Sequence, residues 1–229
     1  ITVFKGDFRY TIEDTAKIIT RANQALQTLE NYKKVFDTKL GILNEYEFND
    51  IVTLDNVITC LQRVEMVMKI SEEVNRAIYE LGIDGFLVKM QLEELIENLP
   101  NEELLIIKDY VAPSRRLIPE KILNLIRENA KDGFIDSNTI AKLLGYEIFE
   151  NYEEIAVYPR GYRILSKIPR MPNTIVNNLV KTFKSFQHIL AADIQKLDEV
   201  EGIGEVRART IKQSLRRMQE QFMFDNLMI

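Results

Sequence analysis

Gly202-Ile203-Gly204 and the run Glu205-Val206-Arg207-Ala208-Arg209-Thr210-Ile211-Lys212 are the residues of this 229-residue chain whose types and spacing most directly suggest chemistry. A tight turn between two helices needs positive φ and no Cβ in the way, which glycine supplies. The turn then offers the first N–H groups and the positive dipole end of the next helix to an anion. Such a site grips a nucleic-acid phosphate without reading bases. The alternative is a glycine-turned helical hairpin that only packs.

Other candidates carry less. Cys60 falls among Val57, Ile58, Leu61 and Val64, so it reads as a buried structural thiol, and a single cysteine excludes an internal disulfide or a zinc cluster of cysteines. The acidic pairs Glu72/Glu73, Glu93/Glu94, Glu102/Glu103 and Glu153/Glu154 have no histidine beside them, and adjacent helical residues point about 100° apart. They read as solvated surface rather than catalytic carboxylates or metal ligands. His188, the only histidine, adjoins Ile189 and Leu190 and reads as partly packed, with no base role.

Charge strengthens the phosphate reading. The chain has a net charge of −5, but residues 159–229 hold 12 Lys/Arg against 7 Asp/Glu and residues 1–158 hold 18 against 28. The sign therefore changes beside the glycine turn, and local basic surface is what attracts phosphate once salt screens charges beyond about 10 Å. Hydrophobic content of 46% with 28% charged residues is ordinary for a folded protein. No apolar stretch reaches the roughly 20 residues of a membrane helix, and no signal peptide is visible.

The elements that must position the turn are helical. Residues 1–10 read as two short extended runs around Lys5-Gly6-Asp7, the end of a sheet whose remainder is missing; a start at Ile1 also suggests a fragment. Thr11-Ile12-Glu13-Asp14 fits a capping box opening a helical run to about Leu40. A second run from Thr53 to Leu81 stops at Gly82, and two such helices side by side make a rod of about 40 Å. Shorter helices follow: 86–99 closed by Pro100, 102–110, 119–129 and 138–144. A domain boundary is expected near Tyr158-Pro159-Arg160-Gly161. Beyond it come a helix over 162–168, the turn Pro169-Arg170-Met171-Pro172, and a helix from an Asn173 cap to Phe183. A connector precedes the Asp193-capped helix, the Gly202–Gly204 turn and a last helix from Glu205 past Phe222. The two hairpins share a layout. At the first, Lys167 and Arg170 are placed to reach phosphate by side chain.

The stretches Arg21-Ala22-Asn23-Gln24-Ala25-Leu26-Gln27-Thr28-Leu29-Glu30, Met90-Gln91-Leu92-Glu93-Glu94-Leu95 and Pro159-Arg160-Gly161-Tyr162-Arg163-Ile164-Leu165-Ser166-Lys167-Ile168-Pro169-Arg170, with Asp198 through Lys212, carry a family resemblance. The chain resembles the part of the DNA-integrity scanning (DisA) family that follows its diadenylate cyclase domain. The resemblance implies a mainly α fold in three regions. Residues 1–10 would be end strands of the missing cyclase, a residual β-hairpin. Residues 11–157 would be an elongated helical spine, and 158–229 a tandem helix-hairpin-helix domain similar to the second domain of RuvA.

It also implies a role. In the family, the cyclase joins two ATP into cyclic di-AMP, and engagement of branched or Holliday-junction-like DNA by the far domain suppresses synthesis. The Asp-Gly-Ala and Arg-His-Arg cyclase motifs are absent from this sequence, so the chain itself is expected not to be an enzyme. It is expected to carry no cofactor or metal, since ATP with Mg²⁺ or Mn²⁺ would belong to the cyclase. The expected DNA-binding residues are Gly202, Ile203, Gly204, Val206, Arg207, Arg209 and Lys212, with Lys167, Arg170 and Asn173 at the first hairpin. The full-length protein would be a cytoplasmic, nucleoid-associated octamer with no membrane partner. Two rivals remain: a helical interaction module without DNA contact, and turnover of ATP by this chain.

Overall fold

Two long antiparallel helices set the geometry of the chain. A computed structural model describes residues 2–5, 8–11, 14–130, 134–147 and 151–225. Helix α1 spans Thr15–Asn49, with Asp14 at its N-cap accepting from the Ala16 amide at 3.2 Å. Helix α2 spans Leu54–Leu81, and Arg21 of α1 meets Glu80 of α2 at 2.8 Å. The periodicity predicts that the first helix stops near Leu40, yet it runs nine residues further through Gly41. Leu43, Asn44, Glu47 and Phe48 are all buried there, and that burial outweighs the roughly 1 kcal/mol cost of one helical glycine. At 1.5 Å per residue α1 is about 52 Å long.

Before α1, strand β1 (Thr2–Lys5) pairs antiparallel with β2 (Phe8–Thr11), Val3 opposite Tyr10. Gly6 and Asp7 of the expected turn, and Ile12 and Glu13 of the expected capping box, lie outside the described residues. Thr11 is a strand residue, so it does not cap α1; Asp14 does.

After a 3₁₀ turn at Gly82–Gly85 come α3 (Phe86–Ile96), α4 (Leu99–Tyr110), α5 (Pro119–Asn129) and α6 (Ser137–Leu144). Pro100 does not close α3. It sits in the first turn of α4, where its missing N–H costs nothing. The chain then continues through α7 (Tyr162–Ser166), α8 (Asn173–Phe183), α9 (Phe186–Ala191), α10 (Ile194–Asp198) and α11 (Glu205–Asp225). The fold is mainly α.

Three apolar clusters hold these elements. One joins Leu29 and Phe36 of α1 to Val67 and Val74 of α2 and Leu92 of α3. The second gathers Leu43, Ile58, Leu61, Ile107, Ile126 and Ile140. The third contains Leu165, Leu179, Phe186, Leu197, Ile211 and Leu215, and one spine residue, Phe48. The Phe48 ring stands edge-on to Phe186 with centroids 5.2 Å apart and tilts against Phe222 at 5.6 Å. Cys60 is buried, and burial pushes its thiol up to about 12, which leaves it inert.

The tract expected to be a boundary is tied down along its length. Val157 donates to the Val52 carbonyl at 3.0 Å and Leu54 to that of Ile155 at 2.8 Å. Arg160 donates to the Lys108 and Val111 carbonyls at 2.7 and 2.5 Å, capping the end of α4. Asp109 accepts from the amides of Gly161, Tyr162 and Arg163 at 2.8, 2.7 and 3.0 Å, capping the start of α7. The Arg163 side chain is fully buried and donates to Glu47, Asn44 and, at 3.3 Å, Glu102. Tyr110 completes the Glu47 carboxylate at 2.6 Å.

The acidic pair Glu102/Glu103 is also not solvated surface. Glu102 meets Arg163 and Lys167, and Glu103 is fully buried with Arg127 at 2.8 Å. It faces inward because α4 is covered on that side by α2 and α5. Burial, then the hydrogen bond to Glu65, push Glu103 up to about 9. Asp109 is pushed up to about 7, first by burial and then by Glu47, against the amides and Arg163 that hold it down.

Two outcomes follow for stability. Burial beside Glu65, against the nearby Arg127, raises Glu103 above its usual 4.5, so the folded chain keeps a proton on the Glu65–Glu103 pair to a higher pH than the unfolded chain does. Its contribution is therefore complete below the usual value and is lost as pH rises through the folded one. Thermal midpoints should decline across that window, and Glu103→Gln should flatten the decline; an unaltered slope in the variant would place the proton elsewhere. Arg163→Ala leaves Glu47 buried without its counter-ion and should cost about 3–5 kcal/mol by urea unfolding, with partial recovery when Glu47→Gln is added.

Candidate nucleic-acid interface

The second turn is built from its caps inward. Asp193 accepts from the Lys196 amide at 2.8 Å and starts α10. The Ile203 amide then donates to the Val200 carbonyl at 2.9 Å, closing the turn, and Ala208 donates to Gly204 at 2.9 Å, opening α11. Gly202 has φ of +80°, and a Cβ there would stand 2.8 Å from Ile175 Cδ1 of α8. The positive φ favours glycine at 202, and the nearby end of the flexible Ile175 side chain adds a smaller steric preference. Ile203 is buried and anchors the turn in the third cluster.

The start of α11 is open. Gly204, Glu205, Val206 and Arg207 are exposed, and nothing stands within 4 Å of a Cβ at Gly204. Among the described residues, no acceptor is recorded for the amides of these four positions. These are the orphan donors of a helix start. Val206 is 81% exposed beside them, an apolar side chain left at the rim.

Thirty-two residues earlier the same frame recurs. Met171 donates to the Ile168 carbonyl at 3.2 Å, and Val176 to that of Pro172 at 3.2 Å. Arg170 takes the place of Gly202 and adopts φ of +59°, a conformation rare for a residue with a Cβ. Pro172 stands where Gly204 does. Asn173 is not the cap of α8 but its first residue, with Pro172 at the cap position. A proline cap supplies no N–H, so this turn has fewer open donors, those of Asn173 and Thr174. The two turns face one groove of about 620 Å³, walled by Pro169, Arg170 and Met171 on one side and Gly204, Val206 and Thr210 on the other.

Not every expected cation faces that groove. Arg170 does, and it is exposed. Arg207 lines it too, but its guanidinium folds back to the Gly202 carbonyl and so braces the turn. Arg209 pairs with Glu205 one helical turn away, at 3.2 Å through Nε, which offsets an acid placed in the first turn of α11. Lys212 points elsewhere: its ammonium donates to the Leu190 and Ala192 carbonyls at 2.6 and 2.7 Å, capping the end of α9. Lys167 lies 3.2 Å from Glu102, with its ammonium shifted down by burial and by Arg163. Its role is to tie α7 to α4. His188 is exposed and meets the Phe183 carbonyl at 3.1 Å through Nδ1.

Residues not expected from the sequence hold the site in place. Asn178 of α8 donates to the Glu201 carbonyl at 2.9 Å, joining one hairpin to the turn of the other. Asp109, Arg160, Arg163 and Glu47 fix the pair on the spine. Among the described residues no group of acids, cysteines or histidines could hold a metal ion, and no helix is long and apolar enough to cross a membrane.

The two glycines separate fold from surface. Gly202→Ala should cost about 1–2 kcal/mol for its φ alone, before any clash with Ile175. Gly204→Ala should stay within about 0.5 kcal/mol of the parent. Differential scanning calorimetry of both variants checks the contrast.

Residues 12–152 match the family model described as the DisA bacterial checkpoint controller linker region. Over 221 residues the chain is 48% identical to the DNA integrity scanning protein DisA of Carboxydothermus hydrogenoformans, covering 96% of this chain and 63% of that protein. The proteins of the same name from Bacillus pumilus and Bacillus subtilis are 45% and 43% identical over 225 residues, each match covering 98% of this chain and 62% of the relative. The chain spans less than two thirds of the length of these relatives. With the linker model matched over residues 12–152 and 43–48% identity to these relatives over at least 96% of the chain, the chain belongs to the DisA family of DNA integrity scanning proteins.

Proposed function

We propose that this chain is the DNA-contacting part of a DisA protein, holding duplex backbone in the groove between its two turns. The observation that carries this is the paired turns, built in one frame: the open amides at the start of α11 and the turn residues Pro169, Arg170 and Met171 border one groove. Each turn is suited to a phosphate oxygen, which carries no sequence information. In this role Gly204, Val206 and Arg207 line the stronger contact through their amides, and Gly202 and Ile203 shape it. Arg170 and Asn173 serve the weaker one. Arg209 contributes once its pairing with Glu205 loosens. Lys212 and Lys167 act through the scaffold.

Binding is largely independent of sequence and favours branched or junction DNA, because two turns at a fixed separation hold two backbone segments. The helix-hairpin-helix unit at 158–229 does this work, and the spine at 11–157 carries it. In the full-length protein, diadenylate cyclase chemistry with ATP and Mg²⁺ or Mn²⁺ belongs to a domain beyond this chain, which is itself non-catalytic. The octamer and the nucleoid setting belong to that same full-length protein. A second reading, a helical interaction module, draws on Tyr79, Ile83, Phe86, Leu87 and Met90. All five are exposed at the corner between α2 and α3, so the spine can serve assembly while the turns serve DNA.

Fluorescence anisotropy with a four-way junction and a linear duplex of matched length tests this. Gly204→Ala should weaken DNA binding about tenfold, roughly 1.4 kcal/mol, with helical circular dichroism unchanged. Affinity should fall steeply with salt, as phosphate contacts require. Unchanged DNA affinity in the variant would leave the interaction module. Equal affinity for junction and duplex would remove the branched preference alone.

A further inference from the structure

A second hollow, of about 500 Å³, lies between α9 and α11. It is lined by Gln187 and Leu190 on one side and Lys212, Leu215, Arg216 and Gln219 on the other. No carboxylate is among its described lining residues. The chemistry of the lining is one-sided. An ammonium has three N–H donors; Lys212 spends two on the Leu190 and Ala192 carbonyls, which fixes its position and leaves the third. Arg216 uses Nε on Glu220 at 2.9 Å and keeps both terminal nitrogens. Gln219 adds an amide. Leu190 and Leu215 supply an apolar floor between these donors.

Anionic oxygens alternating with apolar carbon match that surface, and a sugar-phosphate backbone is such a polymer. The hollow and the groove between the turns use different sides of α11. At about 100° per residue, positions 206, 207 and 210 point roughly opposite to 212, 215, 216 and 219, and Arg207 and Arg216 are about 13 Å apart along the axis. A straight duplex lying on one side of a helix does not touch the other side. We infer that the α9–α11 hollow is a second nucleic-acid contact, taking the backbone of a duplex segment other than the one held between the turns. This rests on the DNA-binding reading above and extends it from one surface to two.

The test uses this chain, a four-way junction and a linear duplex of about 12 base pairs, short enough to occupy one surface, with the salt slope as a second readout. Arg216→Gln with Gln219→Ala should weaken junction binding about fivefold to tenfold and reduce its salt slope by about one. Binding of the short duplex should stay within about twofold of the parent. Arg217→Gln, an equal charge change at an exposed neighbouring position, is the control and should leave both substrates unaffected. The inference is overturned if the double variant leaves junction binding unchanged, or weakens both substrates equally. It is overturned equally if Arg217→Gln matches the double variant, since diffuse charge would then explain the loss. Competition by a poly-glutamate peptide that is lost in the double variant, with junction binding intact, would assign the hollow to an acidic protein segment. If Gly204→Ala leaves both substrates bound as before, it is the groove between the turns that fails, a result independent of Arg216.

Discussion

Arg163 and Glu47 meet with neither side chain exposed to water, and the placement of the candidate DNA surface depends on that pair. Burial alone would favour the neutral guanidine, but Glu47 keeps Arg163 charged; Asn44 and Glu102 accept from its terminal nitrogens and Tyr110 donates to Glu47, while the Arg163 Nε stays buried without a partner among the described residues. Two desolvated charges do not guarantee stability, because apolar residues of equal volume can do as well. What the pair imposes is a single arrangement. A shift of α7 against α1 would strand both charges in a low-dielectric interior, so intermediate orientations are costly. Apolar contact between Phe48 and Phe186 adds affinity between the same elements but far less direction.

Helix α1 is the member common to all of this. It contributes Leu29 and Phe36 to one apolar cluster, Leu43 to another and Phe48 to the third. Its last turns carry Asn44, Glu47 and the Glu47 carbonyl that receives Gln187 at 2.6 Å. The reverse side of the joint is made by α4, whose end is capped by Arg160 and whose Asp109 caps α7. Each helix end is thus satisfied by the neighbouring unit rather than by its own flanking residues. That reciprocity makes the tract around Pro159 a joint with fixed geometry, although its Pro-Arg-Gly composition resembles a linker.

Helix content, the pair of long helices and the positions of both turns were legible because each rests on local rules: apolar spacing, caps and turn residues. Gly202 in particular was readable from its turn, and the structure adds a spatial reason in Ile175. The failures have separate causes. Helix α1 ran past Leu40 because tertiary burial overrode local propensity, whereas Pro100 in the first turn of α4 and Pro172 at the cap position of α8 follow proline's own tolerance for a helix start. Lys167, Lys212 and Glu103 were assigned to the surface by their charge, and each finds partners far along the chain. Arg163 lies 116 residues from Glu47, and pairing at that separation leaves no local mark. The nearest hint was an arginine just before Ile164 and Leu165, and a glutamate just before Phe48, each adjoining apolar neighbours.

The two turns share a frame but not a chemistry. Glycines at 202 and 204 leave the second turn unstrained and open, with four exposed residues presenting amides. At the first, Pro172 removes a donor, and Arg170 bears a positive φ that costs on the order of 1 kcal/mol. That conformation sets Arg170 on the groove, where a guanidinium can replace by side chain what the backbone has lost. For the proposed phosphate contact, one turn therefore offers fixed dipoles and the other a mobile charge. Fixed donors demand a phosphate at a set place, whereas a long side chain tolerates variation in where the second phosphate lies. Under the proposed DNA contact, such a surface would register on one strand and adapt to the other.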